Sequence, residues 1–166
     1  MGNLGDYFPE QEKHKLIDRQ LQPGQVLYLF CRFTTPPKDK YLILLHLEKR
    51  PLLFIINSKI PQFIAERPHI LKSQVKLCST DYDFLEHDSY INCAEVRDDF
   101  DELEIRNQIL ADVGRIRGEL NPITKREIIE VVKDSKTISK YHKKLIIDSL
   151  KCDGQDLIWP SGENQY

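Results

Sequence analysis

The chain has 166 residues, of which 40% are hydrophobic and 30% charged, with a formal net charge of −2. That composition suits one soluble domain large enough to bury a core without metal or disulfide staples, and its slightly acidic balance excludes a protein-wide basic footprint for nucleic acid, so any such contact must come from a local patch. No apolar run reaches membrane-spanning length, and residues 1–15 lack the basic-then-apolar order of a secretory signal and the Ser or Thr of a myristoylation signal, so a cytoplasmic protein is expected.

Residues 1–9 read as a lead-in. From Glu10 to Leu21 a short helix is predicted, because Leu16, Ile17 and Leu21 recur near one face among charged neighbours. Gln22-Pro23-Gly24 ends it. Three apolar runs then follow in close succession, predicting strands over Gln25–Phe33, Tyr41–Leu47 and Pro51–Ile56. The first break, Thr34–Lys40, reads as a loop because Pro36 and Pro37 lack ladder donors. Pro61–Glu66 reads as a short helix closed by Pro68. Gln74–Cys78 and Ser89–Cys93 are predicted as a fourth and a fifth strand, Leu103-Glu104-Ile105 as a short strand or bridge, and Gln108–Arg115 as a helical turn.

Toward the C-terminus the apolar period changes from that of strands to that of helices. Asn121-Pro122 is a helix start, with Thr124 and Glu127 as a rival capping box. Ser139–Leu150 predicts a last helix with Tyr141, Leu145, Ile146 and Leu150 inward. The Gly-, Asp-, Ser- and Pro-containing tail 152–166 is expected to be loose unless Trp159 docks. Cys31, Cys78, Cys93 and Cys152 form no CxxC pair and have no zinc-type His spacing, so reduced thiols are expected, with no metal or cofactor.

The order of these segments resembles the PemK/MazF-like toxin family of small SH3-like barrels. Pro23-Gly24-Gln25-Val26-Leu27 is similar to the family's opening P-G-D-I-V strand, and Lys40-Tyr41-Leu42-Ile43-Leu44 stands where it has R-P-A-L-V. Phe54-Ile55-Ile56-Asn57-Ser58 resembles a third strand ending in small polar residues. Leu85-Glu86-His87-Asp88-Ser89-Tyr90-Ile91 is similar to G-L-x-x-D-S-Y-V, and Val113–Leu120 to the segment before the terminal helix. The resemblance spans residues 23–134. It implies a small, bent antiparallel SH3-like (PemK-like) barrel over 23–120; with the helices read from the apolar pattern, an N-terminal helical lead-in over 1–22 and an added C-terminal helical pair over 121–151, the expected fold is α+β.

The resemblance also implies a function: metal-independent cleavage of single-stranded RNA by a toxin component that forms a homodimer and pairs with an antitoxin protein. In the family, an Arg near the second strand meets the reacting phosphate and a Ser or Thr ending the third strand supports it. Such a transition state gathers negative charge on phosphate oxygens, which a planar guanidinium can clasp at two points. Here Gln25 replaces the family's Asp, and Lys40-Tyr41 replaces its Arg-Pro. The expected catalytic residues are accordingly Lys40, Ser58 and Arg32, the last as a substitute guanidinium, with Lys38, Asn57, His87 and Asp88 as substrate contacts. The same departures suit a second reading, in which an inactive barrel binds nucleic acid or protein.

Each candidate also has a plainer role. Lys38 and Lys40 suit a solvated loop, Arg32 an outward strand position, and Asn57-Ser58 a turn. His46 reads as a satisfied or half-exposed histidine, and Asp98, Asp99, Asp101 and Glu102 as a solvated acidic turn. The run Lys136, Lys140, Lys143, Lys144 suits either a solvated helix face or an RNA backbone or acidic partner.

Overall fold

The computed structural model describes residues 9–151. The lead-in 1–8, and the tail with Cys152 and Trp159, lie outside them. Helix α1 (Glu10–Gln20) is followed by strands β1 (Gln25–Cys31), β2 (Lys38–His46) and β3 (Leu52–Asn57). Two single-turn helices, α2 (Gln62–Ala65) and α3 (Pro68–Leu71), lead to β4 (Gln74–Leu77) and β5 (Ser89–Asn92). Helix α4 (Glu102–Ala111), a 3-10 turn at Val113–Arg115 and β6 (Ile116–Glu119) precede the terminal helices α5 (Pro122–Asp134) and α6 (Lys140–Leu150). The six strands form one sheet in the order β4-β5-β3-β2-β1-β6, every pairing antiparallel. Among the described residues β4 and β6 do not pair with each other, so the sheet is a half-barrel with two edges. The expected α+β class and helices at both ends stand.

The sheet is covered on both faces, and this follows from its central strand. In β2, Leu42, Ile43, Leu44 and Leu45 are all fully buried, an unbroken run where a half-exposed strand would alternate. One face carries Leu27, Leu29, Leu42, Leu44 and Leu53 and meets Ile17 of α1 and Ile105 and Ile109 of α4. The other carries Val26, Ile43, Leu45, Phe54 and Ile56 and meets Ile128 and Val132 of α5 and Ile146 and Leu150 of α6. Each fully buried Leu, Ile or Phe contributes about 1.5–3 kcal/mol of apolar burial. No described helix is long and apolar enough to cross a membrane.

Local chemistry decides where the helices begin. Asn121 accepts the Thr124 N–H at 2.8 Å, so the Asn-Pro start prevails over the Thr124/Glu127 box. Ser139 caps α6 by accepting from the His142 N–H.

Several expectations are corrected. Leu103-Glu104-Ile105 is helical: the Asp101 carboxylate accepts the Glu104 N–H at 2.8 Å, and Ile105 and Ile109, four apart, are both fully buried. The acidic turn is therefore partly a helix cap. Gln108–Arg115 is not one helical turn but the end of α4 followed by the 3-10 turn. Pro68 opens a helix turn as well as closing one. Lys38 and Asp39 belong to β2, because they pair with Cys31 and Phe30. Tyr141 faces outward and is 65% exposed.

Strand β6 pairs only with Gln25, Val26 and Leu27, leaving the outer edge of β1 bare beyond that point. Two side chains cover it. The Gln108 amide accepts the Phe30 N–H at 2.8 Å and donates to the Phe30 carbonyl at 3.3 Å, and Arg115 Nη1 donates to the Tyr28 carbonyl at 2.7 Å.

Among the described residues Cys31, Cys78 and Cys93 are free thiols. Burial pushes the Cys31 thiol up to about 11 and raises that of Cys93 further, while Cys78 is half-exposed. In native protein at neutral pH a disulfide reagent is expected to label Cys78 well ahead of Cys31 and Cys93, which peptide mapping of the adducts would check. Equal labelling of all three would contradict this burial.

Candidate functional site

Of the candidate residues, Lys38, Lys40, Ser58 and His87 line one open groove of about 360 Å³ beside β1, β2 and β5. It is lined by Tyr28, by Lys38–Tyr41, by Ile56 and Ser58, and on the approach to β5 by Phe84–His87 and Ser89. Strand alternation sorts their side chains. Tyr28 stands opposite Tyr41 on the face that carries Val26 and Ile43, whereas Lys40 stands opposite Leu29 on the other face. There the Lys40 ammonium donates to Asn57 Oδ1 at 2.9 Å. Burial lowers the pKa of Lys40, and the Lys38 charge acts in the same direction.

The remaining candidates separate. Ser58, just past the end of β3, is exposed at the groove. Asp88 is engaged elsewhere: its carboxylate accepts the Ser79 N–H at 2.8 Å and the Ser79 hydroxyl at 3.2 Å, and pairs with Lys76 at 3.4 Å. The Ser79 N–H bond is the chief reason its pKa is lowered. His87 is exposed, with Nδ1 3.2 Å from the Asp88 carbonyl oxygen. Arg32 is outside the groove; it borders hollows beside α4 with Phe33, Asp99 and Glu104. His46, read as satisfied or half-exposed, is half-buried, with Nδ1 2.7 Å from the Ser149 hydroxyl and Nε2 3.6 Å from Glu48.

The guanidinium over the groove's aromatic series is that of Arg117, while Arg115 borders the same hollow beside α4 as Arg32. Arg115 pairs with Asp39 at 3.0 Å while holding the Tyr28 carbonyl. The Arg117 guanidinium lies 5.0 Å over the Tyr28 ring. The Tyr28 and Tyr41 rings are 4.7 Å apart, and Tyr41 and Phe84 5.4 Å apart. Phe84 is held by the Tyr41 hydroxyl on its carbonyl, and the backbone of Gly118 in β6 lies close enough that an added Cβ would touch its ring at 3.5 Å. None of this is local in sequence: β6 brings Arg117 to β1 only through strand pairing, and Phe84 arrives on the loop before β5. The only foreshadowing signal was Tyr28 and Tyr41 on neighbouring apolar runs.

Chemically, the groove offers π-faces, one exposed guanidinium, the lysines of the β2 end, and a hydroxyl and an imidazole at its rim. Among the described residues no group of His, Cys, Asp and Glu is arranged to hold a metal ion. No protein-family model matches the chain, and no curated protein matches it.

Proposed function

We propose that the groove binds single-stranded RNA, and that the chain is a PemK/MazF-like, SH3-like barrel relative adapted to binding. The observation that carries this reading is the series Tyr28, Tyr41, Phe84 with Arg117 over its first ring. Aromatic faces and an arginine along a groove stack unpaired bases without reading their edges. Binding is favoured over cleavage because the groups needed at a reacting phosphate are engaged within the protein. Lys40 donates to Asn57, Arg115 pairs with Asp39, and Arg32 lies outside the groove.

Fluorescence anisotropy with a short labelled oligouridine tests it. Tyr28→Ala and Arg117→Ala are each expected to weaken binding by about 1–3 kcal/mol, roughly 5- to 150-fold, with Tyr28→Phe close to the parent. Unchanged affinity in both alanine variants rejects the groove.

A second reading, the metal-independent endoribonuclease of a toxin component, is favoured by one observation. Burial lowers the pKa of Lys40, which borders the same groove as Ser58 and His87, so a lysine that releases its proton more readily stands beside a hydroxyl and an imidazole. On that reading a homodimer acts in the cytoplasm and an antitoxin protein competes with RNA for the groove. RNA fragments on a denaturing gel that vanish in Lys40→Ala and Ser58→Ala would support it. Intact RNA after prolonged incubation would remove it.

A further inference from the structure

Charge on this molecule is not evenly spread. Although the chain is net −2, residues 133–144 carry five lysines against one acidic residue, Asp134. They form the turn from α5 into α6 and the first part of α6. Lys133 pairs with Glu130, and Lys143 donates to the Lys133 carbonyl at 3.1 Å. Lys136, Lys140 and Lys144 are exposed and make no ion pair with another described residue. Lys140 and Lys144, one turn apart, share an outward face with Tyr141, which is 65% exposed.

The first turn of α6 holds no acidic residue. Lys140, the first residue of α6, meets the positive end of the helix dipole, an arrangement that lowers helix stability by about 0.3–1 kcal/mol. Stability alone would place Asp or Glu at this position. A local conflict of this kind is expected where a surface awaits a negative partner.

The placement says which partner. The Thr137 hydroxyl donates to the Ala94 carbonyl at 2.6 Å, anchoring the turn just past the end of β5, while the groove lies at the start of the same strand. Ser89 at the groove and the anchored turn thus lie at opposite ends of β5, a strand of four residues that spans roughly 13 Å. A bilayer fits poorly, because the apolar side of α6 is spent on the core through Ile146 and Leu150. The hollow beside Lys136 is mixed in charge, bordered by Glu130 and Asp134 as well as Lys72, so the anion contact is assigned to the lysines themselves.

We propose that Lys136, Lys140 and Lys144 form a phosphate-backbone contact surface for the RNA strand whose bases occupy the groove. This rests on the RNA reading of the groove and adds a second, sequence-independent surface to it. Neutralising phosphates releases counterions, so the signature is salt dependence: about 0.7 in the slope of log K against log salt for each single-strand phosphate.

The test measures oligouridine affinity across a sodium chloride series for the full chain and for the triple variant Lys136→Gln/Lys140→Gln/Lys144→Gln, with thermal melts checking that both fold. The expected result is a slope smaller by about 2 and an affinity about tenfold weaker near physiological salt. Inorganic polyphosphate, which has no bases, should bind the parent and lose that binding in the variant. An unchanged RNA slope in the variant overturns the proposal, as does an RNA slope that persists while binding of polyglutamate is lost, which would assign the lysines to an acidic protein. The two readings fail separately. If Tyr28→Ala and Arg117→Ala both leave RNA affinity intact while the lysine variant lowers the slope, the groove is rejected and the lysines remain a phosphate-contact surface for RNA.

Discussion

Phe54→Ala is expected to destabilise the protein by about 3–5 kcal/mol, lowering the melting temperature by roughly 6–20 °C. Phe54 is fully buried in β3, faces Ile43 across the β2–β3 ladder, and belongs to the cluster that gathers Ile128, Ile146 and Leu150 from both terminal helices. Removing its ring takes contacts from the sheet and from the helix layer together, and neither can collapse into the space without leaving the other. Urea titration of the variant would check the figure. A loss below about 1.5 kcal/mol, typical of tolerated core swaps, would mean that α5 and α6 do not rest on this face.

Gly24→Ala is expected to cost about 2–3 kcal/mol, from a left-handed backbone with a side chain and a clash in a packed site. Gly24 has φ of 95°, and an added Cβ would sit 2.7 Å from Lys125 Cε. Lys125 cannot simply swing away: it is buried and its ammonium pairs with Glu119 at 2.9 Å. The Gly24 backbone also joins two parts of the sheet, donating to the Leu44 carbonyl at 2.7 Å and accepting the Leu120 N–H at 2.9 Å. A double variant, Gly24→Ala with Lys125→Ala, separates the two causes. If the loss is mainly the clash, the double variant is less damaged than the sum of the single changes; if mainly φ, the two add.

These two positions show how unevenly sequence reports structure here. The strands that hold Phe54 and its neighbours were legible because apolar runs of strand length, bounded by turn residues, have few other uses. The terminal helices were legible from Asn121, whose side chain acts on an atom three residues away, and from the helical spacing of Leu145, Ile146 and Leu150. Helix α4 was misread because Leu103, which suggested a strand, is 66% exposed, and because the burial of Ile105 and Ile109 depends on a sheet face formed by distant residues. The site was less legible still. Strand period alone places Lys40 away from Tyr41, yet which face becomes the groove is decided by β6 and the loop before β5. Arg117 and Phe84 enter by pairing and packing across the fold, which no spacing in the chain records. Arg32, near in sequence, is turned toward α4 instead.

The cover on β1 has a consequence for how copies of this protein meet. A bare strand edge is a template on which any extended chain can add itself, and repeated addition builds fibres. By engaging both backbone groups of Phe30, the Gln108 amide offers the edge the same two hydrogen bonds that an incoming strand would bring. An intruder must first break them, so the exchange gains little. One side chain from a helix thereby blocks strand addition along the stretch of β1 that β6 leaves uncovered.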